Sequence, residues 1–214
     1  MPIGFKSFKD ALRAGVETYN ALKGILKKKY GAKAILLGDE GGFAPTIKNV
    51  EERLELLMKA IDESGYSGKI KLALDCAASE FHDDKNEEYM ILNKKYNKNE
   101  LVDYYKNLIR KYPIVSIEDG MSQDDWEGWN LLNKTIGKKV QLVGDDLLVT
   151  NIGRIKRSLE HKACNALLLK INQIGTITES IDAASISFKN RWNVVVSHRS
   201  GETEDSFIAD LCVG

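Results

Sequence analysis

Asp75, Glu118 and Asp145 each stand at the end of a short apolar run, and each is an acid of the kind that binds hard cations. Three such carboxylates brought together would offer the charged oxygens that Mg²⁺ favours, and without a cation they would repel one another. Zinc is a poor fit, because His82, His161 and His198 share no ligand spacing with the cysteines. Asp119 and Asp146 follow two of these acids and are expected to support or cap, since successive side chains of a strand point in opposite directions. Asp124 and Asp125 read as helix-start acids. Lys170 comes directly after Ala166-Leu167-Leu168-Leu169, which leaves little room for a surface lysine. A lysine held in such a place serves as a base, as a nucleophilic amine or as one half of an ion pair with a strand-end carboxylate. Glu40 lies in Gly38-Asp39-Glu40-Gly41-Gly42, which suits close ligand approach but reads by itself as an ordinary tight turn. His198-Arg199-Ser200 adds a guanidinium fork suited to a phosphate, a weak signal when taken alone. Arg154, Lys156 and Arg157 fit a solvated helix face better than a nucleic-acid patch.

These residues need elements that deliver them to one place. Helices are expected from Ser7 to Gly31 and over residues 49–64, 99–112, 122–136, 150–160 and 176–189. Ser7 with Asp10, Asn49 with Glu52, Ser122 with Asp125, and Thr176 with Glu179 carry the capping signature. Phe8, Leu12, Tyr19, Leu22 and Leu26 form the expected apolar stripe of the first helix. Pro113 should end the 99–112 helix at Tyr112. Strands are expected at 34–37, 70–74, 114–117, 140–143, 166–169 and 194–196. Short apolar strands alternating with helices indicate βαβ units around a buried parallel sheet. Every run ends in ionisable groups, and a parallel barrel opens all its carboxyl ends onto one face. An open doubly wound sheet would use mainly its switch point, and no Gly-x-Gly-x-x-Gly or Gly-Lys-Ser/Thr loop follows any run. An α/β barrel is therefore favoured, yet closure takes eight strands and six are visible.

The composition agrees with a folded globular chain. Of 214 residues 43% are hydrophobic, enough for a sizeable core, and the formal net charge is zero, which argues against a generic polyanion binder. The apolar runs fall far short of a membrane span, and the first residues lack a basic stretch followed by an apolar one. Cys76, Cys164 and Cys212 are odd in number, widely spaced and set among apolar residues, as reduced core thiols of a cytoplasmic protein would be.

Seven segments together closely resemble the enolase family: GDEGGFAP (38–45), LALDCAASEF (72–81), YPIVSIEDG (112–120), QDDW (123–126), VGDDLLVTN (143–151), ALLLKINQIGT (166–176) and VVVSHRSGETEDSFIADL (194–211). They span essentially the whole chain in the family's order. The resemblance implies an enolase-type (β/α)8 TIM-like barrel, incomplete here, with residues 1–214 as a partial C-terminal barrel domain. It implies reversible dehydration of 2-phosphoglycerate to phosphoenolpyruvate, in glycolysis and gluconeogenesis, with Mg²⁺ as cofactor. By the same resemblance Asp75, Glu118 and Asp145 hold the first Mg²⁺, Lys170 is the catalytic base and Glu40 the catalytic acid. His198, Arg199 and Ser200 then meet the substrate, Arg199 at its phosphate and Ser200 near a second Mg²⁺.

Several family features are expected but not present in these residues: a preceding α+β domain with its loop serine, two opening strands with a histidine loop and a Gln-Glu pair, and a second active-site lysine beyond Gly214. Gly120 stands where some members have proline. On this reading the chain is an internal fragment or truncated product that is inactive in isolation, and the full-length family protein is a homodimer. The expected partner is a small phosphorylated substrate, with no nucleic acid and no membrane span. Two other readings compete: a Schiff-base aldolase built on Lys170, and a non-catalytic enolase-derived binding fragment.

Overall fold

A computed structural model describes residues 1–214 in two compact units, Met1–Leu72 and Ala73–Gly214. The first unit is helical. Helix α1 (Phe8–Tyr30) starts at Ser7, whose side chain accepts the Asp10 N–H, and stops at Gly31, whose φ of 80° suits glycine. Helix α2 (Val50–Glu63) is capped by Asn49 through the Glu52 N–H, as the sequence indicates. Ile25 and Leu26 of α1 pack with Ala34, Ile47, Leu56 and Ala60 to form this unit's core.

Two expectations fail in this unit. The 34–37 run is not a strand: a 3-10 turn covers Ala32–Ile35, and Leu37 makes only an isolated antiparallel bridge to Phe43. A strand needs a partner along its length, and here the polypeptide turns back after one pairing through the glycines of 38–42. The expected α1 stripe is covered only at its far end, because Leu26 is buried and Leu22 packs against the core, whereas Phe8, Leu12 and Tyr19 are exposed.

In the second unit, β1 (Leu72–Asp75), β5 (Ile114–Glu118), β6 (Gln141–Gly144), β7 (Ala166–Leu169) and β8 (Asn193–Val196) form one sheet in that order. The β5, β6, β7 and β8 pairings are all parallel, with Glu118 opposite Val143 and Leu169 opposite Val196. Five strands leave β1 and β8 as edges, so the sheet is open and not a closed barrel. Helices α3 (Lys98–Lys111), α4 (Trp126–Ile136), α5 (Ile152–His161), α6 (Ile171–Ile174) and α7 (Ile177–Lys189) alternate with these strands. A last helix, α8, covers Phe207–Val213. Val143, Ala166 and Leu168 are buried together, with Val195 against them.

Helix starts follow local capping chemistry. Asn97 and Glu100 make a reciprocal capping box at α3, which ends before Tyr112 and Pro113 as expected. Helix α4 begins at Trp126 and not near Ser122, because the Asp125 carboxylate takes the Gly128 N–H. Helix α5 begins after Asn151, since Val149 and Thr150 both have left-handed backbones and cannot be helical.

The sequence reading missed an antiparallel sheet of β2 (His82–Asp83), β3 (Glu88–Ile91) and β4 (Lys94–Tyr96). Its strands are short and largely polar, and the tight turn at Leu92 and Asn93, both at positive φ, lacks the usual Asn-Gly signal. The three cysteines are free, but only Cys164 is fully buried and Cys212 is exposed, so Cys212 is not a core thiol. Burial pushes the Cys164 thiol up to about 12, which leaves it inert as a nucleophile. No helix is long and apolar enough to cross a membrane.

Candidate active site

The parallel strands of the second unit place their carboxyl ends along one side of the sheet, where Asp75, Glu118, Asp145, Lys170 and His198 sit in turn. Glu118 closes β5, and Asp145 follows β6 across a turn too tight for a side chain at Gly144. A Cβ there would fall 2.7 Å from Leu148 Cγ. Lys170 leaves β7 with its N–H held by Thr150 Oγ1 at 2.9 Å, and its ammonium meets Asp145 Oδ2 at 2.5 Å. The remaining oxygen, Asp145 Oδ1, is buried with no hydrogen-bond partner.

Charge is concentrated at these strand ends. Burial first, then Asp75, Asp145 and Asp119, push the Glu118 carboxyl up to about 8, against the pull of Lys170. Burial likewise raises Asp119 to about 7, opposed by hydrogen bonds from the Asp146 and Asp145 N–H groups. Asp146 is raised by burial and by Asp145, with Lys170 and Arg199 acting in the other direction. Asp75 and Asp145, the other two acids of the expected trio, are thus within electrostatic reach of Glu118. The most closely grouped carboxylate oxygens belong to a different trio, Asp119, Asp145 and Asp146, within 4.8 Å of one another.

These acids fit a hard divalent cation. A buried, unpaired carboxylate oxygen costs free energy, and acids forced towards their neutral forms by their neighbours mark a place where positive charge is missing. The donors are all oxygens, which suits Mg²⁺ better than zinc.

The other expected residues are placed differently. His198, Arg199 and Ser200 follow β8 in an exposed turn, where His198 Nδ1 lies 3.0 Å from the Arg199 carbonyl and the Arg199 N–H donates to Glu202. Glu40 belongs to the first unit, on an exposed turn whose Gly41 has a φ of 76° and accepts a hydrogen bond from Tyr19 Oη. Arg154 departs from its expected solvated role. Its guanidinium donates to the Leu147 and Gln123 carbonyls and to Asp124, and with Arg157 it lies over the Trp126 ring. Sequence reasoning also passed over Thr150, a buried β-branched residue at a φ of 55°, which anchors Lys170.

A family model described as "Enolase, C-terminal TIM barrel domain" matches residues 1–214. The chain belongs to the enolase family. Among curated proteins it is 54% identical over 215 residues to "Enolase" of Thermococcus gammatolerans and equally to "Enolase" of Thermococcus kodakarensis. It is 53% identical over 221 residues to "Enolase 2" of Hevea brasiliensis. Each match covers all of this chain and half of the relative, so this enolase-family chain spans about half the length of the curated relatives it matches.

Proposed function

We propose that this enolase-family chain carries part of the active site for Mg²⁺-dependent, reversible dehydration of 2-phosphoglycerate to phosphoenolpyruvate, a carbon–oxygen lyase step of glycolysis and gluconeogenesis. The observation that supports it best is Asp145, whose two oxygens face Lys170 on one side and an uncompensated buried position on the other. Asp75, Glu118 and Asp145 would hold the cation, as oxygen donors at neighbouring strand ends. Bound there, Mg²⁺ would offset the charge that develops on the substrate carboxylate when the adjacent carbon loses its proton.

Lys170 takes that proton in this scheme. Its backbone is pinned by Thr150 and its Nζ is aimed by Asp145, which fixes the direction from which the nitrogen approaches once it has given up its own proton. A Schiff-base aldolase built on Lys170 would leave the neighbouring carboxylates of Asp75, Glu118 and Asp145 unexplained, whereas the base reading accounts for them. Glu40 gives a proton to the departing hydroxyl, and Arg199 offers its guanidinium fork to the phosphate beside His198 and Ser200. Residues 1–214 as a partial C-terminal barrel domain, a homodimeric full-length protein and a cytoplasmic location belong to the same proposal. The three free cysteines accord with a reducing compartment.

Two measurements test it. Calorimetry with Mg²⁺ on the 214-residue chain should show saturable binding that Asp145→Asn removes, and no binding by the native chain would sink the reading. In a polypeptide of the relatives' full length, exchange of the substrate's α-proton with solvent should vanish in Lys170→Ala and survive better in Glu40→Gln. Equal loss in both variants would contradict the assigned roles.

A further inference from the structure

Asp119 is buried, stands at a left-handed φ of 42°, and has every polar group engaged at the strand ends. Its N–H donates to the Val143 carbonyl of β6 at 3.0 Å, and its own carbonyl accepts the Ala78 N–H at 3.0 Å. Oδ1 accepts the Asp145 N–H at 3.0 Å, and Oδ2 accepts the Asp146 N–H at 2.8 Å. One residue thereby ties together the segments leaving β1, β5 and β6. Two consecutive peptide N–H groups on one carboxylate fix the plane of the polypeptide where it emerges from β6, and so the direction of the Asp145 Cα–Cβ bond. That direction gives Oδ2 to Lys170 and leaves Oδ1 inside without a partner.

We infer that Asp119 is a positioning residue for the cation site: it is no ligand itself, and its carboxylate orients Asp145 through the main chain. This rests on the reading that Asp145 holds Mg²⁺. The grouping of Asp119, Asp145 and Asp146 oxygens invites the opposite assignment, with Asp119 as a direct ligand. Its geometry favours positioning, since each oxygen receives a backbone N–H and only one lone pair on each would be left for an ion. Partners of ligating carboxylates commonly matter to metal affinity by 10- to 100-fold, so the role is measurable.

Asp119→Asn is the informative variant. Asparagine tolerates the left-handed backbone, so the main-chain conformation is retained. Its amide offers one acceptor oxygen and turns an NH2 towards the second N–H, donor against donor. Two readouts are taken on the 214-residue chain: Mn²⁺ affinity by electron paramagnetic resonance, and amide hydrogen exchange at Asp145 and Asp146 before any metal is added. Ile155→Val, which trims a buried side chain of α5, controls for general loss of stability. Asp119→Asn should weaken Mn²⁺ binding about 10-fold or more and speed exchange at both amides, while Ile155→Val changes neither. Asp119→Glu, which keeps the charge but displaces the oxygens, should behave like Asp119→Asn and serves if the latter does not fold. Faster exchange with native affinity overturns the positioning role. Weakened affinity with native exchange makes Asp119 a ligand and equally overturns it. No Mn²⁺ binding by the native chain overturns the cation-site reading itself, and this inference with it.

Discussion

Lys170 Nζ and Asp145 Oδ2 stand 2.5 Å apart at the ends of adjacent parallel strands, each side chain 14% exposed. The pair joins the residue proposed as base to a residue proposed as cation ligand. An ion pair and a catalytic role are therefore compatible here, because the carboxylate that neutralises the lysine also aims it. The pairing also means that a cation arriving at Asp145 shares the carboxylate with Lys170.

Removing one side of this pair should be costly in the metal-free chain. Lys170→Met takes the ion-pair partner from a largely buried Asp145 carboxyl, and the expected loss is about 3 kcal/mol in urea unfolding. Mg²⁺ should restore part of it, since a cation supplies the missing charge. A variant as stable as the native chain would show that the pair contributes little.

Stability of the metal-free chain should fall as pH rises. Glu118 moves from an ordinary 4.5 up to about 8, and Asp119 from 3.8 up to about 7, so the folded state binds more protons than the unfolded one between these limits. Folding is then favoured at the acidic end and weakened towards pH 8. Thermal midpoints between about pH 4.5 and pH 8 should decline, less steeply in Glu118→Gln and less steeply with saturating Mg²⁺. A midpoint that rises across this window would contradict the crowding of acids at the strand ends.

Gly144→Ala tests the tight exit from β6. The added methyl would meet Leu148 Cγ at 2.7 Å and Leu148 Cδ1 at 3.0 Å, in a buried place with little room to yield. A loss of about 1–3 kcal/mol is expected, read by chemical denaturation, with weaker Mg²⁺ binding because Asp145 is the next residue.

Helix α1 presents Phe8, 83% exposed, with Leu12 and Val16 on the same face, beside Pro2 and Tyr19 in one apolar pocket. The second unit leaves β1 and β8 as sheet edges. Both features favour association. Sedimentation velocity on residues 1–214 should show concentration-dependent self-association, reduced by Phe8→Lys with Leu12→Lys at little cost in thermal midpoint. Sedimentation of the native chain as a single monomer at all concentrations would disprove this.

With His198, Arg199 and Ser200 on an exposed turn, phosphoenolpyruvate formation by residues 1–214 alone should not exceed that of its Lys170→Ala control. Robust turnover absent from the control would overturn this expectation.

The helix caps at Ser7, Asn49 and Thr176, the stop before Pro113, and the parallel strands ending in Glu118, before Asp145 and before Lys170 were legible from residue order alone. Each depends on neighbours a few positions apart or on a run of apolar residues, and local chemistry decides such features. Tertiary structure decided the rest. The 34–37 run had strand composition but no partner beyond Phe43. Phe8 and Leu12 had helical spacing, but what covers a face depends on the elements around it. Asp119 looked like a support because it follows Glu118, yet its grip on Asp145 and Asp146 spans 26 and 27 positions. The left-handed turn at Val149 and Thr150, which hands Lys170 its anchor, left no composition signal, because β-branched residues adopt that backbone only when surrounding contacts hold them there.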